Sequence, residues 1–158
     1  MKSPCHIMIA LTCAADFIHE IGQYPFVYHF HRNSMMIQSN CFWMQLIPMI
    51  GACVGSPLIL CLGLDRFIAV RFPSRYRLLQ MMPYRYVLCS MLLPTVYGSY
   101  VLILAFLHKD QSLVQCGIPQ SFGVVAFDSL NQIGIAVNVA IVVVYGATYF
   151  ILRKSGAS

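Results

Sequence analysis

Four runs of mostly apolar residues, each long enough to cross a lipid bilayer as a helix, constrain this chain more than any other feature. They cover approximately Pro4 to Tyr28, Cys41 to Val70, Arg85 to Leu107 and Phe127 to Leu152. A hydrocarbon core of about 30 Å needs about 20 such residues, because lipid offers a spanning backbone no outside hydrogen-bond partner. Composition agrees, since 59% of the residues are hydrophobic and 9% are charged, against roughly 25% charged in a soluble domain. The expected fold is all-α, a transmembrane helix bundle of four spans forming one domain over residues 1–158. No polar linker or low-complexity tract divides it.

The charge lies between the apolar runs, and it lies unevenly. Lys2, Arg66, Arg71, Arg75, Arg77, Arg85, Arg153 and Lys154 fall on one side of the membrane, while Arg32 and Lys109 alone fall on the other. Basic residues collect in short cytosolic loops, so both termini and the Arg66 to Arg85 connector are expected in the cytosol of a multi-pass plasma-membrane protein. The net charge of +5 therefore reports topology and a lipid bilayer partner. Nucleic-acid binding is not expected, because the basic residues do not share a face with interleaved aromatics. The first apolar stretch continues past Asp16 without a small-residue cleavage site, which argues against a removable signal peptide. Trp43, Phe42, Tyr24, Tyr28, Tyr84 and Tyr86 stand near the expected span boundaries, where aromatic rings settle at headgroup depth.

Polar residues inside the spans recur at helical spacing. Thr12, Asp16, His19, Glu20 and Gln23 form one stripe in the first span, and Asp128, Asn131, Asn138, Tyr145 and Tyr149 form another in the fourth. A carboxylate facing lipid costs on the order of 3 kcal/mol on insertion scales, so both stripes are expected to face protein or a water-filled cavity. Pro48, Pro57 and Pro94 fall within spans, where each removes a backbone donor and favours a kink.

The stretch from Cys41 to Tyr76 carries the most functional information. A Cys stands at the outer end of a long apolar run, Asp65-Arg66-Phe67 stands at its inner end, and Ala69-Val70 lead to Pro73 and Tyr76. The 25 residues from Cys41 to Arg66 cover about 37 Å as a helix, which puts the two at opposite membrane faces. This combination resembles the third helix and second cytosolic loop of rhodopsin-like G-protein-coupled receptors. Asp16-Phe17-Ile18-His19 with Gly22-Gln23, and the run Gly63 to Tyr76, are similar to nematode serpentine chemoreceptors of the Srsx class. The four spans then correspond to receptor helices two to five of a partial seven-helix fold, with helices one, six and seven outside the chain. Phe67 where Tyr is commoner, and a fourth span without Pro, are departures from the family pattern.

The resemblance implies a chemosensory receptor that binds a small molecule or peptide outside and couples to a heterotrimeric G protein inside. Coupling falls to Asp65, Arg66, Phe67, Pro73 and Tyr76, with Asp65 holding Arg66 until activation frees it. A guanidinium stays charged at a partly dry boundary and presents several donors, which suits it to a conditional contact. Arg71, Arg75, Arg77 and Arg85 read as ordinary positive-inside arginines. Asp16 takes the place of the family's membrane-embedded acid, an ion-coordinating position, although a carboxyl kept neutral by burial is an equal reading. Glu20 and Gln23, with His19 beside them, are candidates for lining a ligand pocket together with Gln45, Met49 and Cys53. Helix packing is the alternative for Met49 and Cys53.

Of seven cysteines, the topology leaves Cys41 and Cys116 on the outer, oxidising side. A Cys41–Cys116 disulfide is expected there, with two free thiols as the alternative. No cofactor, metal site or enzymatic activity is expected, since metal-ligand spacings, a glycine-rich phosphate loop and a nucleophile beside a base are all missing. His29 and His31 alone make a poor metal site. The competing reading is a nonfunctional receptor remnant or a free-standing four-span structural membrane protein.

Overall fold

A computed structural model describes residues 4–156; Lys2, counted above on the basic side, lies outside them. The elements in chain order are α1 (Pro4–Ile21), α2 (Gln23–His31), β1 (Met36–Ile37), α3 (Gln38–Arg71), α4 (Pro73–Gln80), α5 (Pro83–Leu107), β2 (Leu113–Val114) and α6 (Ile118–Gly156). Four helical segments are long and apolar enough to cross a membrane: Pro4–His31, Gln38–Arg71, Pro83–Leu107 and Ile118–Lys154. The all-α bundle of four spans is therefore the observed architecture.

The first segment is interrupted at Gly22, where α1 gives way to α2. Pro25, three residues on, has no N–H to offer the carbonyl of Ile21, which weakens the helix at that turn. By contrast α3 runs unbroken through Pro48 and Pro57, and α5 through Pro94. All three prolines are buried, and the Ser90 carbonyl that Pro94 leaves free accepts from the Cys61 thiol of α3 at 3.4 Å. The fourth span begins at Ile118, earlier than the apolar run suggests, because Pro119 in the first turn is compatible with helix initiation.

At the centre stands α3, which packs on α1, α5 and α6. Helices in lipid gain little from the hydrophobic effect, so close van der Waals approach must hold them. Gly51 shows how close that approach is. A Cβ there would lie 2.6 Å from the Ala15 carbonyl oxygen and 2.8 Å from the His19 nitrogen of α1. The outer half of the core gathers Phe42, Met49 and Cys53 of α3, Val101 and Ala105 of α5, and Ile118, Phe122 and Ala126 of α6. A smaller inner cluster joins Met8, Cys61 and Val87.

Two short features close the ends. At the Gln38 end of α3, β1 pairs antiparallel with β2, with Met36 opposite Val114 and Ile37 opposite Leu113. At the Arg71 end, the basic connector folds as α4, with Pro73 at its start.

The polar stripes are drawn only partly into these contacts: Asp16 and Tyr145 approach Gly55 and Gly63 of α3, while most of the other members are exposed. Thr12 is buried and its hydroxyl donates to the Met8 carbonyl at 3.0 Å, but Asp16, Glu20, Gln23, Asp128, Asn131 and Asn138 are exposed on the four-helix unit. The small face of α1, with Ala15 and Gly22, is the one that seats on α3.

Candidate functional site

At the inner end of α3 a carboxylate is enclosed by three elements. Asp65 is fully buried. Its Oδ2 lies 3.7 Å from the Arg66 Nε and accepts a hydrogen bond from the Tyr76 hydroxyl at 3.3 Å. Tyr86 of α5 approaches the same group. Oδ1 has no hydrogen-bond partner among the described residues. The Arg66 side chain remains 45% exposed, and an ion pair with one half-solvated member is worth on the order of 1 kcal/mol or less. The pair is therefore easily broken while its acid remains fixed by the fold.

The remaining inner-end residues frame this pair. Phe67 is half-buried, Pro73 is exposed at the first position of α4, and the α4 helix carries Tyr76 back to Asp65. Burial, followed by the neighbouring Asp65 charge and hydrogen bond, pushes the Tyr76 phenol above its ordinary range; Arg66 acts weakly in the opposite sense. Arg71 and Arg75 both lie over the Phe72 ring, at 5.3 and 5.7 Å from its centroid.

The outer end is fastened in several ways. Cys41 and Cys116 form a disulfide with a Cα–Cα distance of 5.5 Å, joining the start of α3 to the loop before α6. Gln38 reinforces it. Its Nε2 donates to the Ser121 carbonyl at 2.9 Å, its Oε1 accepts from the Asp110 N–H at 2.7 Å, and its own N–H donates to the Ser112 carbonyl at 2.9 Å. Above these bonds the helix is broken at Gly123, whose φ of 70° and ψ of 168° lie outside the helical region. Only glycine adopts this conformation without strain.

Over this break lies a cavity of about 640 Å³ bordered by Gln38, His108, Asp110, Gln120, Phe127 and Asp128, among others. Its size falls within the range of small-molecule sites. Lys109 also borders it and sets its ammonium 3.9 Å from the Phe106 centroid and 5.1 Å from that of Trp43. The ammonium is thereby partly satisfied by ring faces.

Of the residues expected to line a ligand pocket, Gln45 and Met49 are fully buried in helix packing, whereas Glu20 and Gln23 are exposed. The Gln45 Nε2 donates to the Gly22 carbonyl at 2.8 Å, across the interruption between α1 and α2, and its Oε1 has no partner among the described residues. Asp16 is exposed, with its Oδ1 directed at Gly55 of α3, where a Cβ would sit 3.3 Å away. Sequence reasoning missed Gln38, Gly123 and the cavity. A polar residue three positions before Cys41 and a glycine within an apolar run were the available signals.

A bundle of membrane-spanning helices, tied at one end by a disulfide and carrying an acid–arginine pair at the other, is the architecture of a serpentine membrane receptor. The family model described as serpentine type 7TM GPCR chemoreceptor Srsx matches residues 1–158, and the chain belongs to that family. Its family is one of receptors and not of enzymes, and the protein is a multi-pass membrane protein. Comparison with curated proteins and with solved structures gives no match.

Proposed function

We propose that this chain is the part of a chemosensory G-protein-coupled receptor that receives a small molecule or peptide on its outer side and contacts a heterotrimeric G protein through the inner end of α3. The observation carrying this reading is the state of Asp65: fully buried, bonded to Tyr76, and 3.7 Å from a half-exposed Arg66. A buried carboxylate restrains the guanidinium without enclosing it. Loss of that restraint frees several donors for backbone carbonyls of a partner helix. Phe67, Pro73 and Tyr76 complete the surface, and the connector holding them faces the cytosol, as do both termini.

On the outer side the ligand enters the cavity over Gly123, where the disulfide and Gln38 hold the walls in place. Asp16, Glu20, Gln23, Gln45 and Met49 belong to the second layer of this reading. There the exposed acids of α1 bind an ion or the ligand's polar group, and Gln45 and Met49 set the spacing between α1 and α3.

The test uses the full chain in lipid nanodiscs with purified G protein and a non-hydrolysable GTP analogue. Asp65→Asn is expected to raise basal nucleotide exchange several-fold, and Arg66→Ala to reduce it to background. Unchanged exchange in both variants overturns the coupling role. An acceptor sequon placed in α4 that becomes glycosylated in cells overturns the orientation.

A further inference from the structure

A second concavity lies in the middle of the membrane, separate from the outer cavity and the inner pair. It is a groove of about 240 Å³ between α5 and α6, floored by α3, and bordered by Ala52, Ser56, Tyr97, Asn131, Gly134 and Asn138, among others. Ser56 lies near the midpoint of Gln38–Arg71, and Asn131 to Asn138 straddle the midpoint of Ile118–Lys154, so the groove opens at hydrocarbon depth. The side-chain hydrogen bond within this lining, among the described residues, runs from the Tyr97 hydroxyl to the Leu130 carbonyl at 3.3 Å. The Ser56 hydroxyl and two carboxamides have no hydrogen-bond partner among the described residues. In lipid, nothing but a bound molecule or another polar group can satisfy them.

The lining narrows the occupant. No Asp, Glu, Lys, Arg or His borders the groove, so a charged ligand finds no counter-ion and its desolvation goes uncompensated. The volume lies below the roughly 300 Å³ at which drug-sized sites begin. At roughly 30 Å³ per water-sized unit, it holds about eight non-hydrogen atoms. Two carboxamides and a hydroxyl both donate and accept. Gly134 leaves the α6 wall open: a Cβ there meets nothing within 4 Å.

We infer that this groove is a binding site for a compact, neutral, hydrogen-bonding molecule, such as a small aromatic alcohol, which reaches it laterally from the bilayer. Ser56, Asn131 and Asn138 hold the polar group, while Ala52, Leu130 and Ile135 surround the apolar body. The site is independent of G-protein coupling, since it rests on the spans and their packing alone.

The experiment uses the full chain in nanodiscs and, as probe, 2-(3-methyl-diazirin-3-yl)ethanol, a neutral photoreactive alcohol small enough for the groove. After photolysis, peptide mass spectrometry is expected to find label concentrated on α3 near Ser56 and on α6 between Leu130 and Asn138. Excess benzyl alcohol is expected to reduce that label at least threefold, and ethylbenzene, which cannot hydrogen-bond, is not. Gly134→Val places its Cβ in open space and its methyl groups in the groove, and is expected to abolish the competable label; Asn131→Leu with Asn138→Leu is expected to do the same. Label spread evenly over the lipid-facing helices, or equal competition by ethylbenzene, overturns the proposal. So does spontaneous disulfide-linked dimer formation by Asn138→Cys without competable labelling, which assigns the groove to a second copy of the chain.

Discussion

The two ends of α3 are built on opposite plans. At the Cys41 end, a covalent bond, a two-stranded ribbon and the three hydrogen bonds of Gln38 fix the helix to the α5–α6 connection and the first turn of α6. At the Arg66 end, one 3.7 Å ion pair and one 3.3 Å hydrogen bond join Asp65 to Arg66 and Tyr76. The first end is a fixed frame and the second is held by few and weaker contacts. In the function proposed above, the frame presents the cavity while the opposite end changes partners.

The sharpest way to break the comparison is to unfasten the frame. Cys41→Ser, or reduction of the disulfide, is expected to cost about 2–4 kcal/mol, read as a fall in the thermal unfolding midpoint in detergent. A midpoint unchanged on reduction contradicts the fixed-frame description. Gln38→Leu comes next. It strands the buried Ser121 carbonyl, a loss of about 1–3 kcal/mol, and frees the N–H of the exposed Asp110; exchange protection at Asp110 is expected to disappear while the disulfide persists.

At the inner end the expected stability effects are smaller and the functional ones larger. Tyr76→Phe removes one partly exposed hydrogen bond, worth about 0.5–1.5 kcal/mol. It is expected to leave the unfolding midpoint nearly unchanged while raising basal nucleotide exchange; a large stability loss without an effect on exchange makes Tyr76 structural only. The smallest effect concerns pH. The raised Tyr76 phenol contributes stability below the unfolded phenol pKa, and this is lost as pH rises through the higher folded value. In a difference titration against Tyr76→Phe, Asp65→Asn is expected to move the Tyr76 phenolate signal to lower pH. No movement separates the two residues electrostatically.

Much of the fold was legible because lipid imposes a length criterion that hydropathy reads directly. All four spans were visible, as was the pairing of Cys41 with Cys116, once topology placed both outside. Boundaries were less legible. The run Ile118 to Ala126 contains Pro119, Gln120, Ser121 and Gly123, and reads as loop although tertiary contacts from Gln38 make it helix. The polar stripes were read from period alone, but period does not say which face a helix presents. Packing of α1 on α3 was decided by the smallness of Ala15 and Gly51, which leaves Glu20 outward and Asp16 at the edge of the contact, its Oδ1 toward Gly55. Asp65, Arg66 and Tyr76 were legible as a group because the motif spacing brings one turn of α3 beside α4.

Gly123 has a mechanical consequence for α6. Its torsions interrupt the succession of amide-to-carbonyl bonds, so the long shaft beyond it can tilt by rotating about one residue, without severing a rung of the ladder. The short collar before it, from Ile118 to Phe122, is clamped to Gln38 and Cys116. A swing of the shaft would then pass the outer cavity's floor directly, while the loop roofing that cavity stayed where it was.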